Sequence, residues 1–312
     1  MSHITAGDIS PLYEMTEPTY GETAGGVTAY YADLKGDGGS FTPTDNPNMN
    51  IAWRHDSRAF NVADNVPTCL DAGYTDVVEI RDTSGWEKII KYAIGDDGTT
   101  VGIPRLKSRT TELIVKVDSR YDRLIYTGCK TDRLEIKADQ PGGIVEFDET
   151  VQAAYSHIAT QPTRPGHDPP VALSGRPALQ WMNGVKIGTN TIYPQSFRIS
   201  INNSLGRVRG WNEDIEKACT VGLAEGRLEM EMEMDVWRED LAEIAKATSE
   251  TASGANMAQT ITLTLGISNP KELHMYAVPK LDGQYSPLIQ DKQMETLHFR
   301  IESMYIATPE SS

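Results

Sequence analysis

The sequence predicts a mainly β protein: an antiparallel β-sandwich or barrel-like fold with one packed α-helix and long loops and arms. Three observations predict it. From Thr110 onward apolar and polar residues alternate with a period of two, as half-buried strands require. Short polar turns separate these runs, which favours hairpins and meanders over crossover connections. One long segment, residues 238–250, instead carries a helical apolar stripe.

Along the chain, residues 1–105 form an N-terminal arm and loop-rich region, expected to pack on the core formed by residues 106–312. The first part is rich in Gly, Pro, Asn, Asp and Thr, with turn clusters at GDGG (36–39) and TPTDNPN (42–48), and little of it reads as continuous core. The exception is TSGWEKIIKYA, where Trp86, Ile89, Ile90 and Ala93 fall at helical spacing and Ser84 with Glu87 matches a capping box. This predicts a short helix, with a hairpin strand as the competing reading. TELIVKV, DRLIYTG, TDRLEIKAD and GGIVEFDET follow as strands between residues 111 and 150. Residues 156–177 hold five prolines and no periodicity, which predicts a long surface loop. Further strands are predicted at 177–188, 196–203, 226–237, 258–268, 272–281 and 293–307. In REDLAEIAKATSE (238–250), Leu241, Ile244, Ala245 and Thr248 share one face, with acidic residues in the first turn and Lys246 toward the end. Residues 1–60 and the 156–177 loop are expected to order mainly on neighbouring subunits.

Composition narrows the function. A net charge of −15 and a pI near 4.8 argue against a nucleic-acid binder that works by neutralising phosphates. Cys69, Cys129 and Cys219 are far apart and odd in number, which predicts reduced, mostly buried thiols rather than a disulfide framework or a clustered metal site. No apolar run reaches the ~18 residues of a membrane span, and the N-terminus lacks the pattern of a signal peptide. The expected protein is made and used in solution, without membrane contact.

Enzymatic readings find no support in the motifs. GxSxG, HExxH, GxxxxGK[ST], CxxC and a helix-opening GxGxxG are all missing, so no catalytic, cofactor-binding or metal-binding residue is expected. The histidines His3, His55, His157, His167, His274 and His298 are scattered. His167 beside Asp168 reads as a solvated loop residue, and His274 and His298 read as outward-facing strand residues.

The sharpest feature is the strand from Leu228 to Trp237. Alternation puts Glu229, Glu231, Glu233 and Asp235 on one face and Leu228, Met230, Met232, Met234 and Val236 on the other. Residues 222–250 hold nine acidic and three basic side chains, so the acidic excess is concentrated here. A solvated surface is one reading; a surface that repels a polyanion or binds cations is the other. Long patterned strands such as Gln259–Ile267 are also aggregation hazards at an open edge, which ring closure with sister subunits removes and a central position in one sandwich would also remove.

Several segments carry a family resemblance. YTGCKTDRLEIKADQPGGIVEFDETVQA (126–153), with Gly128, Cys129 and Lys130, resembles the Gly-Cys-Lys strand-turn-strand of the tail tube proteins (major tail proteins) of long-tailed phages and archaeal tailed viruses. QSFRISINNSLGRV (195–208) is similar to that family's strand ending in an Asn pair, here Asn202 and Asn203. GLAEGRLEMEMEMDVWREDLAEI (222–244) is similar to its Gly-Arg strand, here Gly226 and Arg227, and EPTYGETAGG (17–26) to its Tyr-Gly-Glu/Thr arm. The proline-rich loop matches no family motif, and residues 27–125 match weakly. The resemblance implies a non-enzymatic virion protein with a tail-tube fold and no cofactor. Six copies would form a ring, and rings would stack through loops and arms into a tube around a tape-measure protein, with tail terminator and initiator proteins as further partners. Assembly would take place in the host cytoplasm. Viral DNA would pass through the lumen transiently and without sequence-specific binding, and Glu229, Glu231, Glu233 and Asp235 become candidates for the lumen wall. Within the same class, a non-stacking tail or secretion-system ring shares the fold. The alternative from another class is a monomeric β-sandwich binding module, for carbohydrate for example, which needs Trp53, Trp86, Trp181, Trp211 and Trp237 clustered on one exposed face.

Overall fold

A computed structural model describes residues 9–17, 19–20, 30–34, 41–44, 46–51, 65–80, 86–95, 105–117, 120–160, 181–188, 190–211, 219–237, 259–267, 270–279 and 294–309. Five strands precede a helix: β1 (Ile9–Thr16), β2 (Tyr30–Leu34), β3 (Phe41–Pro43), β4 (Asn46–Ile51), β5 (Asn65–Ile80) and α1 (Glu87–Ile94). Then come β6 (Arg109–Val117), β7 (Arg120–Ala138), β8 (Glu146–Ala153), β9 (Tyr155–Thr160), β10 (Trp181–Ile187), β11 (Asn190–Ile192) and β12 (Ser196–Asn202). The last are β13 (Gly206–Trp211), β14 (Cys219–Ala224), β15 (Glu229–Trp237), β16 (Gln259–Leu265), β17 (Lys271–Pro279) and β18 (Met294–Ala307). Every pairing between them is antiparallel, as the turn-separated period-two runs require.

β7 organises the architecture. Its N-terminal half lies between β6 and β9, and its C-terminal half between β12 and β8. From β12 the ladder continues through β15, β18, β17, β16 and β10 to β11. On the other side β7–β6–β1–β2–β5–β8 returns to β7, so six strands close on themselves in a barrel-like ring. β13 and β14 form a separate two-stranded sheet.

The extended sheet has one apolar face. Phe197, Ile199 and Ile201 of β12, Met230, Met232, Met234 and Val236 of β15, and Leu273 and Met275 of β17 are buried in one cluster with Trp86, which precedes α1, and with Ile89, Ile90 and Ala93 of α1. Burying each such side chain contributes about 1.5–3 kcal/mol, so the alternation seen in the sequence is the pattern of the core itself. A second cluster joins Ala72 and Tyr74 of β5, Tyr126 and Cys129 of β7, and Val151 and Ala153 of β8. There the Tyr74 and Tyr126 rings meet at 5.1 Å and Phe41 stacks on Tyr74 at 4.8 Å.

Several sequence expectations change. The Gly-Cys-Lys segment is no turn: β7 runs through it as one strand, with an extra residue against β6 near Gly128 and another against β8 near Asp132. Gly128 takes φ +66°, which supplies at one residue the turn character that divided the run in the sequence. Strands β1 and β5 lie in the region expected to be poor in core, because their partners β6 and β8 are remote in sequence. Residues 156–160 belong to β9 rather than to a loop, held by pairing with β7; residues 161–177, including His167 and Asp168, lie outside the described residues, as does the expected helix at 238–250. The short helix forms as predicted, but its first boundary is Trp86, without a side-chain cap, rather than Ser84. No helix among the described residues is long and apolar enough to cross a membrane.

Candidate functional site

Glu229, Glu231, Glu233 and Asp235 project from the sheet face opposite the core, as the alternation dictates, because Met230, Met232, Met234 and Val236 are buried. β15 is an interior strand, so the row has neighbours on both sides. Asn202, Ser200, Arg198 and Ser196 of β12 stand across from the four acids in turn, and Arg300, His298 and Thr296 of β18 stand across from Glu231, Glu233 and Asp235.

These neighbours change the picture of a bare acidic strip. Asp235 accepts hydrogen bonds from the Ser196 hydroxyl at 2.6 Å and the Thr296 hydroxyl at 2.7 Å. Glu233 Oε1 lies 3.2 Å from His298 Nδ1, and Arg300 Nη2 pairs with Glu302 at 3.0 Å. His274, expected to be solvated, is half-buried: its ring stacks on Tyr305 at 4.8 Å and its two nitrogens lie near Thr262 Oγ1 and Glu272 Oε2. Sequence alternation identifies the acidic face, but the cations on adjacent strands are set by register.

The motif residues, drawn from four separate segments, converge at one junction. Glu17 Oε1 accepts from the Gly128 amide at 2.7 Å and the Thr110 hydroxyl at 3.0 Å. Lys130 Nζ pairs with Glu225 Oε1 at 2.8 Å and lies 5.6 Å from the centre of the Tyr20 ring. Glu225 also accepts from the Leu106 amide at 3.0 Å. Partial burial first, and then the Glu17 charge, push the Tyr20 phenol up to about 12. The Cys129 thiol is buried and takes part in no disulfide.

The two asparagines have different work. Asn202 is exposed, and its Oδ1 accepts from the Ser204 amide at 3.0 Å, stabilising a turn in which Ser204 has φ +48°. Asn203 is buried, and its Nδ2 donates to the Ala93 carbonyl at 2.8 Å and the Thr131 carbonyl at 2.9 Å. Ala93 is in the last turn of α1, where carbonyls lack helical partners, so one amide caps the helix and ties it to β7. Asn203→Ala is expected to cost about 1–3 kcal/mol, because two buried carbonyls lose their donor. Asn203→Asp should cost at least as much, since a carboxylate cannot donate; urea unfolding that left Asn203→Ala within 0.5 kcal/mol of the parent (~0.5 being usual for surface changes) would refute this role.

Gly226 closes the junction. Its amide donates to the Asn203 carbonyl at 3.1 Å, and a Cβ there would collide with the Ser204 carbonyl oxygen. Arg227 is exposed. The Arg109–Glu149 ion pair in the interior was not singled out from the sequence, which holds no local signal for it.

Trp86 and Trp181 are buried, which removes two of the five tryptophans that an aromatic carbohydrate platform requires. Among the described residues, no three His, Cys, Asp or Glu side chains come together in a way that could hold a metal ion. No curated protein matches the sequence. The family described as phage tail tube protein matches residues 13–286, a span that includes the acidic row and all the motif residues of the junction, and the chain belongs to that family of structural virion tail proteins.

Proposed function

We propose that this protein assembles into six-membered rings that stack into a tail tube, and that the polar face of β12, β15 and β18 lines the channel through which viral DNA leaves. The observation that carries this reading is the two-faced interior strand β15, with methionines sealed in the core and carboxylates turned outward. Repeated around a ring, that face forms a hydrated wall rich in carboxylates. Duplex DNA carries about one negative charge per ~1.7 Å of axis, and a wall of the same sign does not retain it. At physiological salt, screening over ~8 Å leaves wall and DNA interacting only where the gap is comparable.

The ring and stacking contacts are with other copies of the chain. A tape-measure protein occupies the lumen before DNA, tail initiator and terminator proteins bound the tube, and assembly takes place in the host cytoplasm. Electron microscopy of the purified protein, concentrated or nucleated with initiator, is expected to reveal rings or tubes; a chain that stays monomeric under both conditions refutes the reading.

Charge reversal tests the wall. Replacing Glu229, Glu231 and Glu233 by Gln should leave folding and assembly nearly intact, since exposed substitutions usually stay within ~0.5 kcal/mol. Replacing them by Lys should permit assembly and slow DNA ejection, most at low salt. Ejection at the parent rate across a salt series, or a tube map with these side chains on the outer wall, would rule out the lumen assignment.

A further inference from the structure

We infer that Glu135 is a charge clamp: it occupies, with the protein's own carboxylate, a cationic cluster on the polar sheet face that would otherwise hold DNA. Its consequence for DNA passage rests on the lumen reading above, but the clamp itself is a property of the isolated subunit.

Three cations converge on this residue. Arg133 Nη2 lies 3.2 Å from Glu135 Oε2, and Arg198 Nε lies 3.3 Å and Lys137 Nζ 3.9 Å from Oε1. The Glu135 side chain is 12% exposed, whereas those of Arg133 and Arg198 are 60% and 52% exposed. The carboxylate is thus set into the sheet while the guanidinium groups stand out from it.

Register explains the cluster. On β7 and β12, Lys137 stands directly across from Arg198, a like-charge pair that is unfavourable by itself. On β7 and β8, Glu135 stands across from Asp148, the opposite conflict. The diagonal contacts resolve both: Lys137 reaches Asp148 at 3.3 Å and Glu135 draws in Arg198, while Arg133, two residues away along β7 on the same face, completes the set. Two guanidinium groups and an ammonium around one oxyanion have the donor set of a phosphate site. A DNA phosphate approaching this face must therefore displace Glu135 before it gains these contacts.

Glu229 supplies the control. It lies on the same face, two strands from Glu135, and no cation among the described residues pairs with it. Glu135→Gln and Glu229→Gln change the net charge equally, but only the first releases cations.

The test uses the purified full-length chain and a labelled DNA duplex of about 20 base pairs, followed by fluorescence anisotropy from ~50 to ~200 mM salt. Glu135→Gln is expected to bind at least about tenfold tighter than the parent at the low-salt end, with log K against log salt steeper by about 2 to 3 for the released cations. Glu229→Gln should stay within about threefold of the parent, and Glu135→Gln combined with Arg198→Gln should lose most of the gain. Glu135→Asp, which keeps the charge and shortens the reach by one methylene, should bind tighter than the parent and less tightly than Glu135→Gln. It also serves if the Gln variant does not fold. The clamp is overturned if Glu135→Gln binds no tighter than Glu229→Gln, if the Arg198 change leaves the gain intact, or if Glu135→Asp binds as the parent does. Imaging that places this face outside the tube would remove the lumen reading and leave the duplex result standing.

Discussion

Replacing Arg109 by Met is expected to destabilise the fold by about 3–5 kcal/mol, the usual cost of leaving a buried charge without its partner. Arg109 is the one buried cation among the described residues. Its Nη2 lies 2.6 Å from Glu149 Oε1 and its Nη1 donates to the Thr131 hydroxyl at 2.7 Å. Thr131 in turn donates to the same Glu149 oxygen at 2.5 Å, closing a triangle across β6, β7 and β8. The guanidinium also lies 4.8 Å from the centre of the Tyr92 ring on α1, and Tyr92 and Thr16 of β1 share a hydroxyl hydrogen bond at 2.7 Å. Asp76, another buried carboxylate, stands across from Glu149 in the β5–β8 register.

Removing Arg109 therefore leaves the buried Glu149 carboxylate, with the Asp76 carboxylate across from it in register, without the cation that pairs with it. Arg109→Met should lower the thermal midpoint by on the order of 10 °C. Adding Glu149→Gln should restore more than half of the loss, because the neutral amide still accepts from Thr131 and no longer needs a counter-charge. If the double variant is less stable than Arg109→Met alone, Arg109 contributes through packing rather than charge.

Gly128→Ala is the second large effect, expected at about 2–4 kcal/mol from two causes. The backbone at φ +66° disfavours any side chain, and a Cβ would stand 2.6 Å from the Ala154 Cβ and 3.2 Å from the Tyr20 ring. Tyr20 can turn aside, but Ala154 is fixed by its amide hydrogen bond to the Thr127 carbonyl. The companion change Ala154→Gly removes the contact and leaves the backbone strain, so the pair should recover roughly half of the loss. Full recovery would make the strain irrelevant; no recovery would exclude the contact. Because the Gly128 amide binds Glu17, hydrogen exchange at that amide should rise in Gly128→Ala more than at β12.

The alternation along β15 was legible without any structure, because side-chain direction in a strand repeats every two residues and needs only local sequence. The same holds for β12, β16 and β17, and for α1, whose apolar spacing suits a helix lying on a sheet. The Gly-Cys-Lys, Asn-Asn and Gly-Arg segments stood out individually, but their meeting point did not. Glu17 reaches Gly128, Lys130 reaches Glu225, and Asn203 reaches Ala93, each across roughly a hundred residues of chain.

By itself, then, the sequence determined which stretches after Thr110 alternate, which face of each is apolar, and that one strand turns four carboxylates away from the core. Folding alone set which residues of β12 and β18 stand beside those carboxylates, made β1 and β5 strands, turned Gly128 into a bulge rather than a turn, and brought Arg198 of β12 to Glu135 and Arg109 of β6 to Glu149. The division is physical. Periodicity depends on residues two or four apart, whereas pairing register, bulges and ion-pair partners depend on which remote strands the chain brings side by side, and a shift of one residue in that register would send every partner to the opposite face.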